Sequence, residues 1–140
     1  MTKQDFVAAQ DADAIIATMN EHIDRIHRLN CEYNALRRDT LEDPASGAQI
    51  QLEIADARLR AQVATEFGGI RTNEQQRADR LLELQQLDDN YRNLELSRHR
   101  ILVQMDQNRA DAEFCSNRFQ AATQTLRLKR AVLNFLAEGD

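Results

Sequence analysis

A chain of 140 residues with a formal charge of -5, 42% hydrophobic and 5% aromatic residues has the size of one domain and enough apolar mass for a core. Four glycines and one proline leave few places for the chain to reverse, which excludes strand-and-turn architectures and points to long helices. No run approaches the roughly 18 apolar residues of a membrane span, and no excess of base over acid offers itself to phosphate.

The first predicted element is a helical arm over about 5–41, starting near Asp5 or Asp11. Its apolar residues recur at alternate steps of three and four, through Ile15, Met19, His22, Ile26, Leu29, Tyr33 and Leu36. That spacing is the mark of a helix packed lengthwise on another helix. Phe6 and Val7 offer a further apolar anchor at its start. Between 42 and 47 the run EDPASG places Pro44 behind Asp43, as the first residue of a helix stands behind its cap, so a kink or loop is expected there. The same steps carried through it reach Ile50, Ile54, Ala57, Ala61 and Ala64, and a helix over 48–67 is expected to continue the stripe in phase.

Gly68 and Gly69 stop that helix, and Thr72 or Asn73 caps the next, so the chain reverses over about 68–72. From 73 to 138 there is neither glycine nor proline, which predicts one long helix fraying at Gly139. Its seam runs from Leu84 through Tyr91, Ile101, Met105, Ala112, Cys115, Phe119 and Leu126 to Leu136, interrupted only by Arg98, Asn108 and Lys129. The expected fold is all-α and a single domain over 1–140: a long antiparallel helical hairpin or coiled coil with its first arm interrupted near Pro44. A compact three-helix bundle is the alternative.

Folding back at the glycines makes facing residues add to about 139, an estimate for an antiparallel hairpin with a short loop. Arg98 then meets Glu42 and Asp43, Lys129 meets Asp11 and Asp13, and Asn108 meets Asn30 and Tyr33. A paired charge at a seam edge adds little stability but penalises slipped alignments, so these residues are expected to set the register. A second stripe on the long helix, Phe114, Ala121, Leu128 and Phe135 with Val132 beside it, lies off the seam; Ile16 and Ile23 widen the apolar face of the first arm. Two helices leave these uncovered, which calls for a second copy of the chain or another protein.

Candidates for chemistry are few. His22 and His27 are five apart and share no helical face, His99 is remote, and no paired ExxH motif exists, so neither metal nor cofactor is expected. His27 and Cys31 are one turn apart, but a nucleophilic thiol needs a pocket to lower its pKa. Cys31 and Cys115 are too few for a disulfide framework and are expected as reduced thiols in the cytoplasm. The chain carries no phosphate-binding loop, dinucleotide fingerprint, nucleophile elbow or HExxH. Residues 1–66 hold 7 basic and 12 acidic residues and 67–140 hold 11 of each, so nucleic acid is a weak partner despite arginine clusters at 92–100 and 118–130. The expectation is a non-enzymatic structural or adaptor subunit, a homo-oligomer or protein-binding element without membrane or small-molecule ligand. The use of arginine over lysine hints at a bacterial or phage source. The alternatives are a helical inhibitor acting through the acidic first arm, including Asp11, Asp13, Glu21 and Asp24, and a nucleic-acid-binding bundle.

Overall fold

The computed structural model describes residues 2–68 and 74–138, with the side chains of 4–10 outside the description. Phe6 and Val7 therefore lie outside it, as do the expected caps Thr72 and Asn73. Every regular element among the described residues is helical: α1 (Lys3–Ala35), a π-helical segment (Leu36–Leu41), α2 (Ala48–Glu66), α3 (Glu74–Leu87) and α4 (Asp89–Glu138). The chain forms two compact units, one of Met1–Tyr33 with Gln107–Asp140, the other of Asn34–Asp106.

The unit 34–106 contains the breaks. At the end of α1 the backbone widens into the π segment, closed where Glu42 N–H donates to Arg37 O at 2.8 Å, five residues back rather than four. Asp43 then organises a tight turn. Its Oδ2 accepts from the backbone of Ala45 and Ser46 at 3.2 and 2.8 Å and from Ser46 Oγ at 2.8 Å. These bonds, led by the Ser46 hydroxyl, hold its carboxyl below the ordinary range. Pro44 thus opens a single turn rather than α2, which starts four residues later at Ala48. The widened helix and the turn together rotate the inward face. α2 buries Ala48, Ala55, Leu59 and Val63, whereas Ile54, Ala57, Ala61 and Ala64 are exposed, so the stripe does not keep its phase past the proline. A π turn holds about one residue more than an α turn, which is enough to move a heptad pattern off its face.

α2 and α3 pack antiparallel around Leu59, Val63 and Leu84, with Phe67, Leu81 and Tyr91 against them. Polar side chains lace the edges: Gln85 Nε2 donates to Asp56 Oδ1 at 2.7 Å, and Arg80 holds Glu66 through two bonds of 2.7 and 3.1 Å. Arg80 keeps the Glu66 carboxyl below the ordinary carboxylate range, and the Arg60 guanidinium does the same to Asp56.

Where one helix over 73–138 was expected, the backbone restarts at Asp88. Asp88 Oδ1 accepts from the Tyr91 backbone at 2.7 Å, the bond of an N-cap, so this aspartate opens α4. The expected outcome of Asp88→Ala is a loss of about 1 kcal/mol in unfolding free energy, measured by denaturant titration. No change would mean that the α3–α4 junction needs no cap.

Candidate interaction surface

The unit of 1–33 and 107–140 pairs α1 with the second part of α4. Lys129 Nζ reaches Asp11 Oδ2 at 3.4 Å, and Arg109 Nη2 donates to Tyr33 Oη at 2.7 Å with its guanidinium 5.1 Å from the ring centre. As the number rises on one helix it falls on the other, so the two run antiparallel. Inward positions alternate by threes and fours, as the spacing implied. Leu29, Met19 and Ile26 turn inward on α1, and Asn108, Ala112, Cys115 and Leu126 are buried on α4. Asn108 is the one buried polar residue among those described, and no buried side-chain nitrogen or oxygen there lacks a hydrogen bond.

The residues expected to set the register are distributed unevenly. Lys129 and Asp11 are brought together. The hydroxyl of Tyr33 accepts from Arg109, the neighbour of Asn108, and Asn30 is exposed. In the other unit the Asp43 carboxylate is occupied by its own turn, and Arg98 is half-buried on α4, where its charge acts on the Tyr91 phenol. The residue that binds the reversal most firmly, Arg80, was not singled out from the sequence. It lies eleven residues beyond Gly69 with Arg71 and Arg77 nearer, and Glu66 stands just before the glycines, so residue order alone did not set it apart.

The second stripe is open. Phe114 is 56% exposed, Leu128 66%, Val132 50% and Phe135 74%, with Leu136 at 52% extending the patch. Ile16 and Ile23 on α1 are exposed at 38% and 47%. The guanidinium of Arg118 lies over the Phe114 ring at 5.1 Å, one turn along the same helix. The other unit exposes Leu82, Leu96 and Val103, which the sequence reading passed over although they fall at one heptad position on its outer face.

Groups that could carry chemistry remain scattered. Cys31 Sγ lies 3.7 Å from His27 Nε2, both on the exposed side of α1, while Cys115 is 1% exposed. A thiol reagent is therefore expected to modify Cys31 directly and Cys115 only through opening of the unit, slower by about tenfold for each 1.4 kcal/mol of opening free energy. Two fast thiols in the native protein would show that Cys115 is not packed as described. No group of three or more histidine, cysteine, aspartate or glutamate side chains among the described residues is placed to hold a metal ion. No described helix is long and apolar enough to cross a membrane. Surface grooves among the described residues include one along α4 lined by Asp89, Arg92, Glu95, Arg98 and His99 and another between α2 and α3 lined by Arg60, Val63, Ala78, Leu81 and Leu82. No protein-family model, curated protein or solved structure matches the chain.

Proposed function

We propose that this chain is a non-enzymatic helical interaction element, a structural or adaptor subunit that self-associates within a larger cytoplasmic assembly by packing helix on helix. The observation that carries the reading is the exposure of Phe114, Leu128, Val132 and Phe135, half or more of each side chain, on a helix whose inward seam is already filled by other residues. Four large apolar side chains on one flank are a cost in water and a source of affinity once covered, at roughly 25 cal/mol per Å² of apolar area. The repeat of seven along a helix selects another helix as the cover, because its own residues recur with the same period.

The double substitution Phe114→Glu with Phe135→Glu tests this. By light scattering on a sizing column the wild-type chain runs as a multimer, and the variant runs with the mass of one chain and unchanged helicity by circular dichroism. A variant that associates as the wild type does would remove the assignment. Both side chains point to solvent, so the fold has no stake in them.

A further inference from the structure

The flank of α4 that carries the open stripe holds almost no charge. Phe114, Ala121, Leu128 and Phe135 follow one another at steps of seven down its middle. Residues three and four away stand beside them on a helix, so Arg118, Thr125 and Val132 form one edge and Asn117, Gln124 and Ala131 the other. All of them are exposed. Arg118 is the single charge, and its guanidinium is engaged by the Phe114 ring of its own helix at 5.1 Å. The Thr125 hydroxyl donates to Ala121 O at 3.0 Å and is likewise occupied within the helix. Arg127 and Arg130 fall outside these three columns.

A flank of this kind offers a charged partner little to pair with, and it meets a copy of itself without repulsion provided the two Arg118 side chains are kept apart. Orientation decides that. Parallel copies would set Arg118 beside Arg118 and Ala121 beside Ala121, a like-charge contact and a gap. Antiparallel copies related by a two-fold axis between Gln124 and Thr125 have neither fault. Leu128 then meets Ala121 of the other copy, and Phe114 meets Phe135 at both ends. The two Arg118 side chains stand roughly 20 Å apart along the helices, beyond the screening length of about 10 Å at 0.1 M salt. On the edges Arg118 comes beside Val132, Asn117 beside Ala131, and Gln124 beside Gln124, whose amide both donates and accepts. The area is adequate as well. Phe114 and Phe135 are 56% and 74% exposed, and an aromatic side chain offers roughly 150–250 Å², so the two rings present roughly 200–300 Å² and the whole flank on the order of 600 Å². That is somewhat under the roughly 800 Å² that each partner of a standard interface buries, the size of a reversible dimer.

We propose that the α4 flank pairs with the same flank of a second copy, antiparallel about a two-fold axis between Gln124 and Thr125, with Leu128 of each chain over Ala121 of the other. The proposal rests on the self-association above and adds the face, direction and alignment of the contact. Asn117→Cys, Gln124→Cys and Ala131→Cys, each in the full chain carrying Cys31→Ser, test it with a short bis-maleimide as cross-linker. Cys115 is 1% exposed and stays out of the reagent's reach. Gln124→Cys is expected to give a covalent dimer by itself. Asn117→Cys and Ala131→Cys, each roughly 20 Å from the same position in the other chain, give none alone and a dimer of one chain of each when mixed. Ile16→Lys with Ile23→Lys, on the other helix, associates as the wild type does.

Covalent dimers from all three cysteine variants alone would mean a parallel pair and overturn the two-fold antiparallel arrangement. If the wild type associates on a sizing column but none of the three cross-links, the contact lies elsewhere on the chain, and the proposal falls while self-association stands. Loss of association in the Ile16, Ile23 variant would have the same meaning. If the wild type stays a single chain up to millimolar concentration, the proposal falls together with self-association.

Discussion

Replacing Leu59 with alanine lowers the unfolding free energy by about 2–5 kcal/mol, the cost of a buried leucine whose neighbours cannot close the space. Leu59 is 6% exposed, and it forms the buried cluster with Val63 and Leu84 that joins α2 to α3. The partly buried Phe67, Leu81 and Tyr91 already pack against the cluster, and Arg80, Asp56 and Gln85 are held in hydrogen bonds between the two helices. Denaturant titration reads the effect as a lower midpoint with an unchanged slope. The companion substitution Ala61→Gln distinguishes the observed inward face from the one that a continuous stripe would have used. Ala61 is exposed, so the change is expected within about 0.5 kcal/mol of zero. A costly Ala61→Gln with a harmless Leu59→Ala would place the other face of α2 inward.

Gly47→Ala is the second large effect. A methyl group at that position would stand 2.6 Å from Asp43 N, Asp43 O and Leu41 O, three backbone atoms with no rotamer to yield. The residue itself sits at φ -64° and ψ 150°, open to any side chain, so the demand for glycine comes from close approach and not from backbone torsion. The turn must open to admit the methyl, at the expense of the Gly47 N–H bond to Asp43 O at 2.9 Å and of the Asp43 bonds inside it. Overpacking of this kind costs about 1–3 kcal/mol, and contact with backbone puts it at the upper end. Gly68→Ala is the control: its added carbon meets Ala64 O and Thr65 O at 3.3 and 3.4 Å, a shift of tenths of an ångström. Thermal unfolding of the pair is expected to separate them, with Gly47→Ala several degrees lower; equal melting temperatures would show that the 43–47 turn relaxes freely.

The two variants mark where reading by period succeeded and where it failed. From Leu84 in α3 along α4 the step of three and four found Leu84, Met105, Asn108, Ala112, Cys115 and Leu126, all buried, because i to i−4 hydrogen bonds carry the helical phase past Asp88; Leu87 and Leu136, on the same step, are exposed. Past Leu36 the same step named Ala57, Ala61 and Ala64, and the structure buries Ala55, Leu59 and Val63 instead. The larger side chains at 52, 59 and 63 are the available sign of the inward face, and nothing in LRRDTL announces the π turn before it. Asp88 shows the same limit. In DDNY an aspartate that caps reads no differently from one that is solvated until the Tyr91 N–H is found pointing at it.

The candidate surface follows the same division. Composition and period determined that the chain is all-α, that it folds back near the glycines, and that Phe114, Leu128, Val132 and Phe135 fall off the seam, since these depend only on residue order along a helix. Which polar groups meet was decided by tertiary structure: Arg80 with Glu66, Arg109 with Tyr33, and Asp43 with Ala45 and Ser46 of its own turn. The physical reason is that apolar side chains are sorted by a periodic backbone and need no particular neighbour. A hydrogen bond or ion pair has to be satisfied within about 3 Å, and a shift of one residue in helix pitch is enough to change its partner.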